Sequence, residues 1–218
     1  GDRNPLGTDF QIHQVMHIRL PIAYFGAIGY YQKYVCADRV CFEVNEHYTK
    51  QTLRNRMYIL GPNGVQQLSV PVKKINGSKT AVKDILISYR EDWVKLHLKT
   101  LETAYSSSPF YDHYIFDIQP VYEEKIESLM ELNQRFHQLI TGWLNIERSS
   151  FYSEQYDLIE GEKDFRLIEE LPATEVNYRY QQVFDKNRIF EGNLSILDAL
   201  FNLGPMARTL LINNELCR

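Results

Sequence analysis

The chain has 218 residues, 44% of them hydrophobic, with a formal net charge of −4 and three cysteines. That is enough apolar material for a full core in one large domain. The charge supplies no global basic field, which speaks against nucleic acid as the main partner. No apolar run approaches the roughly 18 residues that span a bilayer, and the amino end shows neither a charged n-region nor an h-region. Membrane insertion is therefore not expected, and a cytoplasmic location is. Cys36, Cys41 and Cys217 are odd in number and lack metal-ligand spacing, so neither a disulfide framework nor a metal site is expected.

Residues 1–11, rich in Gly, Asp, Asn and Pro, read as a loose arm, and 12–218 as a single domain. His13 to Leu20 alternates as a strand that Pro21 ends, and Tyr24, Ile28, Tyr31, Tyr34 and Val35 then recur at helical spacing up to Ala37-Asp38. Arg39 to Val44 supplies a second strand, so this segment predicts a right-handed βαβ unit with parallel strands. The loops after the two strands, 21–26 and 45–50, then emerge at the carboxyl edge of the sheet, where open α/β sheets bind ligands. From Arg54 to Lys74, Met57, Ile59, Leu68, Val70 and Val72 recur at period two on either side of Gly61-Pro62-Asn63-Gly64. Gly and Asn tolerate positive φ, so this stretch predicts a β-hairpin, placed here in a mixed sheet.

Asn76-Gly77-Ser78 reads as a surface turn and Asp84 to Ser88 as a short strand returning to the sheet. Helices then take over. Trp93, His97, Leu101 and Tyr105 fall on one stripe ahead of Pro109, and Phe110 to Phe116 reads as a helical turn. Pro120 is expected as the first-turn proline of a long helix carried by Tyr122, Ile126, Leu129, Asn133, Phe136, Ile140 and Trp143 to about Leu144. Residues 147–174 are charged and weakly periodic and read mostly as loop, and Tyr178 to Phe184 as a late strand. Ser195 and Asp198 make a Ser-x-x-acid capping pattern before a short helix closed by Gly204-Pro205. The fold class is α/β: an amino-terminal βαβ unit plus a hairpin, followed by a largely helical carboxyl-terminal half.

No Gly-x-Ser-x-Gly elbow, Walker loop, Gly-x-Gly-x-x-Gly, His-Glu-x-x-His or paired Cys-x-x-Cys occurs, so the familiar hydrolase, nucleotide and zinc-protease signatures are missing. No cofactor is called for. His13 and His17 read as a surface pair rather than a metal site. His47 follows a predicted parallel strand, where a general base is well placed. His97, on an apolar helical stripe, is either a hydrogen-bonded core histidine or a second base if it lines a cleft. Arg54 and Arg56 alternate and should share a strand face; with Lys50 they either grip an anion or form an ion-paired rim, while Lys73 and Lys74 read as a solvated strand end. Tyr24, Tyr48, Asn55 and Tyr105 complete the expected substrate pocket. His47, Lys50, Arg54, Arg56 and His97 are expected to converge on one cleft with Tyr24 on its wall.

Several segments in series carry a family resemblance: Leu20 to Tyr31, Ala37-Asp38, Glu46 to Gln51, Arg54-Asn55-Arg56 with Leu68 to Val72, Trp93 and His97, Ala104-Tyr105 to Pro109-Phe110-Tyr111, and Asn193 to Asp198 with Asn202 and Gly204-Pro205. Together, over roughly residues 14–205, the chain resembles the WbqC-like family. It departs from longer relatives between about 150 and 190, where it is shorter, so a donor-binding part is expected to be reduced. Members of that family tend to occur with bacterial surface-polysaccharide (O-antigen) biosynthesis. The resemblance implies a soluble transferase passing an acyl or aminoacyl group to an activated sugar, or a non-catalytic sugar-binding accessory protein of the same pathway. The partner it implies is a small molecule, a sugar nucleotide or an acyl donor. A homodimer is the one protein partner considered.

Overall fold

The structure is a computed structural model that describes residues 15–73, 79–184 and 189–217. The expected arm at 1–11, His13, Lys74 and the turn at 76–78 lie outside them. Strand β1 (His17–Pro21), helix α1 (Ile28–Cys36) and strand β2 (Arg39–Glu43) form the expected βαβ unit, with the strands parallel and His17 opposite Arg39. α1 forms because Ile28, Tyr31 and Val35 repeat at helical spacing and are all buried.

Residues 147–174 are mostly loop, as read, but they contain two short strands that the sequence did not reveal and that flank this pair. β5 (Ser149–Tyr152) and β6 (Glu162–Asp164) make the sheet four-stranded and wholly parallel, in the order β5-β2-β1-β6. Strands of four and three residues, mostly polar and at sheet edges, carry no periodicity to detect. Both faces of the central strands are covered, as is usual for parallel sheets. One face presents Ile18 and Leu20 to the core; the other carries buried Arg19, Cys41 and Glu43 beneath residues 153–166. There Arg19 Nη1 donates to Glu43 Oε2 and Arg19 Nη2 to Glu162 Oε2, each at 3.0 Å.

The hairpin forms as its periodicity predicts, from β3 (Arg56–Gly61) and β4 (Gly64–Ser69), with Met57, Ile59 and Leu68 buried. Gly61 pairs with Gly64 across Pro62-Asn63, and Gly64 has φ +111°, a conformation only glycine adopts without strain. The hairpin is its own two-stranded sheet beside the parallel one. Arg54 precedes β3, so it does not share a strand face with Arg56. Residues 82–84 form a 3₁₀ turn, and Leu86 and Ile87 make only single bridges, to Ser128 and Val72, where a strand was expected.

The helical region is α2 (Trp93–Tyr105), α3 (Tyr111–Glu123) and α4 (Leu129–Leu144). Asp92 caps α2 by accepting from the Lys95 amide, and Ser128 caps α4 by accepting from that of Glu131. Pro120 does not open the long helix; it lies inside α3. The amide it lacks would have bonded the carbonyl of exposed Phe116, and buried Tyr114, Ile118, Val121 and Tyr122 keep the helix continuous across it. The break falls at Glu124–Ser128, where Lys125 has φ +51°. Asn145, also left-handed at φ +50°, ends α4.

Residues 178–184 contain no strand; Tyr178 and Tyr180 instead stack at 6.4 Å, each edge-on to Phe190. Ser195 does cap α5 (Ile196–Leu203), its Oγ accepting from the Leu197 amide. Asp198, expected to complete the capping pattern, instead accepts bonds from the Tyr105 and Tyr180 hydroxyls at 2.7 and 2.6 Å and from the Gln182 amide at 2.9 Å. Helix α6 (Ala207–Ile212) follows, ahead of a 3₁₀ turn at Glu215–Cys217. Cys36 and Cys217 are disulfide-bonded with Cα atoms 4.8 Å apart, against the expectation of no disulfide, while Cys41 is free and buried. Their separation of 181 residues hides that proximity from any reading of spacing.

Candidate functional site

A cavity of about 690 Å³ opens at the carboxyl edge of the parallel sheet. One wall is the loop after β2, from Asn45 to Arg54; the other is the segment after β6, from Arg166 to Leu171; Tyr58 of β3 and Tyr156 complete it. This is the edge where parallel sheets offer ligand sites, because the strand ends there release loops that are free to diverge.

The first wall is pinned from behind. The His47 backbone bridges Ala81, the Tyr48 amide donates to the Thr80 carbonyl and the Val82 amide to that of Glu46. This leaves the His47 side chain exposed on the cavity. Gln51 holds a left-handed φ of +62°, and its carbonyl accepts from Arg56 Nη1 at 3.3 Å. Such a conformation persists in a non-glycine residue only where surrounding bonds over-determine it.

The walls are bolted together by Arg54. Its Nε and Nη2 donate to the two oxygens of Glu46 at 2.5 and 2.8 Å, and Nη2 also donates to the Arg166 carbonyl at 3.1 Å. Arg166 in turn holds Asp164 in a fork at 2.9 Å on both oxygens, which keeps that carboxyl below its ordinary range. It also donates to the Tyr156 carbonyl at 2.6 Å and lies 4.0 Å over the Tyr156 ring. Glu170 accepts from Lys33 at 2.7 Å and from Asn193 at 2.8 Å. Each guanidinium of the cavity thus already carries a carboxylate.

Of the residues expected at the site, His47 and Arg54 line this cavity and the others do not. Lys50 is exposed beside it, and Arg56 is half-buried next to the Gln51 carbonyl. His97 is 1% exposed, with Nε2 donating to the Ser69 carbonyl at 3.2 Å and Nδ1 accepting from the Tyr24 hydroxyl at 2.7 Å. Tyr122 bonds Tyr24 in turn, so a buried polar chain fixes the tautomer of His97. Burial pushes its pKa down to about 4, the Ser69 bond acting in the opposite sense. Tyr24 therefore belongs to the core and not to a cleft wall. Tyr105 is likewise held inside, on Asp198. Tyr48 and Asn55 are buried behind the first wall, where Tyr48 Oη and Asn55 Oδ1 have no hydrogen-bond partner among the described residues. Burial pushes the Tyr48 phenol up to about 12.

Sequence reasoning missed the second wall entirely. Tyr156, Arg166 and the stretch Leu167 to Leu171 sit in the segment read as loop, and no periodic signal marks them. Tyr58 was findable, since it shares the hairpin face of Arg56 opposite buried Met57 and Ile59.

The comparisons with known proteins agree with the resemblance. The uncharacterized protein Rv1507c of Mycobacterium tuberculosis is 29% identical over 208 residues, covering 82% of this chain and 90% of that protein. No solved structure matches the chain. The model of the WbqC-like protein family matches residues 23–178, a span that contains every residue lining the cavity, and the chain belongs to that family.

Proposed function

We propose that the cavity binds the sugar part of an activated sugar, and that the chain transfers an acyl or aminoacyl group to it in bacterial surface-polysaccharide biosynthesis, with His47 as the base. The observation that carries the sugar reading is the lining itself. Thr49 and Gln51 offer a hydroxyl and an amide and two tyrosines offer ring faces, while Asn45 and Thr52 are bonded within the wall and Arg54 and Arg166 are already neutralised by Glu46 and Asp164. Such walls suit a neutral polyhydroxylated ligand better than a bare phosphate. His47 supplies the imidazole of the lining; it holds no hydrogen bond among the described residues and faces the space, as does the Glu169 carboxylate of the other wall.

That same observation favours a second reading, binding without turnover. A catalytic histidine is normally oriented by a further group on its other ring nitrogen, and none orients His47 among the described residues. Calorimetry with N-acetylglucosamine and a nucleotide-linked form of it, followed by mass spectrometry of the sugar after incubation with acyl-coenzyme A, separates the two. Transfer requires that both sugars bind, that the nucleotide adds little, and that His47→Ala keeps binding but loses the acylated product. Binding with no product across donors leaves the accessory reading. Silence toward every sugar removes the site.

A further inference from the structure

The cavity has two chemically different walls. Opposite the amides and hydroxyls of the first lie Leu167, Ile168 and Leu171 with Tyr156, an apolar ledge interrupted by Glu169 and Glu170. Leu167 is 88% exposed, Leu171 51% and Tyr156 49%, values unusual for large apolar side chains at the mouth of an open cavity. Scattered surface leucines need no explanation, whereas three large aliphatic side chains within five residues on one pocket wall mark a binding surface.

The ledge is not a frayed loop. The Phe165 amide donates to the Arg19 carbonyl at 2.9 Å, the Arg166 amide to Asp164 Oδ1 at 2.9 Å and the Ile168 amide to the Phe165 carbonyl at 3.3 Å. Arg54 Nη2 ties the Arg166 carbonyl to the opposite wall, and Lys33 and Asn193 clamp the Glu170 carboxylate at the far end. Residues held this firmly on both sides of Leu167 present it to solvent as a fixed feature. Holding apolar surface in water forgoes the free energy of burying it, and a ligand that covers it recovers that free energy.

We infer that the ligand of this cavity is amphipathic, with an unbranched aliphatic group of a few carbons lying on Leu167, Ile168 and Leu171 while its polar part faces Thr49 and Gln51. A cavity of about 690 Å³ admits a small molecule and not a protein segment of any length. The inference rests on the sugar reading above for the identity of the polar part only.

The test is a chain-length series measured by calorimetry or ligand-observed NMR, below micelle concentrations: methyl, butyl and hexyl glucosides beside the sugar-free 1-butanol and 1-hexanol. Affinity should rise about three- to four-fold for each added methylene in both series. The paired substitution Leu167→Ser and Leu171→Ser should flatten that dependence, with an unchanged melting temperature showing that the fold is intact. A rise among the alkanols with no glucoside bound would refute the sugar reading and leave the aliphatic site standing. Affinities flat with chain length in both series, or a dependence that survives the double substitution, would overturn the inference. So would co-sedimentation with phosphatidylcholine vesicles that the double variant loses, since the leucines would then serve a lipid surface.

Discussion

His47 and His97 occupy opposite environments in one molecule. His97 lies on a regular helical stripe, sealed between the Ser69 carbonyl and the Tyr24–Tyr122 pair, with Trp93 edge-on at 5.0 Å. His47 sits on an irregular loop whose backbone is pinned by residues 80–82 and whose side chain is left open to the cavity. Regular spacing led inward, to packing; the irregular loop led outward, to the site. The contrast teaches that a histidine's availability depends on whether its backbone or its side chain is what the fold holds. Arg54 and Arg56 repeat the lesson, one locked on Glu46 and the other half-exposed with a single carbonyl partner.

The largest effect should come from acid. Burial holds His97 and His137 at about 4 in the folded chain, against about 6.5 when unfolded. Their folded pKa values are depressed, so above about 6.5 both states are neutral and nothing is lost. As pH falls from there toward 4 the unfolded chain gains protons that the folded chain refuses, and stability drops. Each histidine should account for roughly 3 kcal/mol by pH 4. Asp198 acts in the opposite sense, because burial raises its carboxyl and the folded chain takes up that proton first. Urea unfolding at pH 7, 5.5 and 4 measures the sum. A His97→Gln variant should lose part of that dependence; if its pH profile matches the parent's, burial does not hold His97 neutral and the contrast with His47 is false.

Arg54→Ala comes next. It strands the buried Glu46 carboxylate and removes the donor to the Arg166 carbonyl, so a loss of about 3–5 kcal/mol is expected. Arg56→Ala removes one long bond from a half-buried residue and should cost under about 1 kcal/mol. Chemical denaturation of the two variants side by side checks this. Similar losses would show that the two arginines share one role after all.

The smallest stability effect belongs to His47→Ala, at under about 0.5 kcal/mol, since the side chain is exposed and bonded to nothing among the described residues. Its melting curve should overlay that of the parent chain while turnover is lost and sugar binding is kept. A melting shift as large as that of Arg54→Ala would move His47 into the structural class.

Local chemistry sufficed for the elements whose residues bury one face by themselves. The stripe Trp93, His97, Leu101, Tyr105, the alternation of Met57 and Ile59 and the Asp92 and Ser195 caps all act within a few residues of one another, so their consequence is written in the chain order. Ser149–Tyr152 and Glu162–Asp164 become strands only because β2 and β1 offer free parallel edges to them, and three or four polar residues hold no such instruction alone. Asp198 likewise had a local role available at its helix start, which Tyr105, Tyr180 and Gln182 displaced. By itself the sequence determined the βαβ unit, the hairpin, the helical carboxyl-terminal half and a loop carrying His47 at the edge of the sheet. Only the tertiary structure decided that Arg54 would spend its charge on Glu46, that His97 would be sealed, and that residues 166–171 would form the facing wall. The facing wall depends on Arg54 reaching the Arg166 carbonyl at a separation of 112, and His97 on partners 28 and 73 residues away; even Glu46, only 8 residues from Arg54, is brought to it by the turn of a loop, and no local pattern encodes which group arrives.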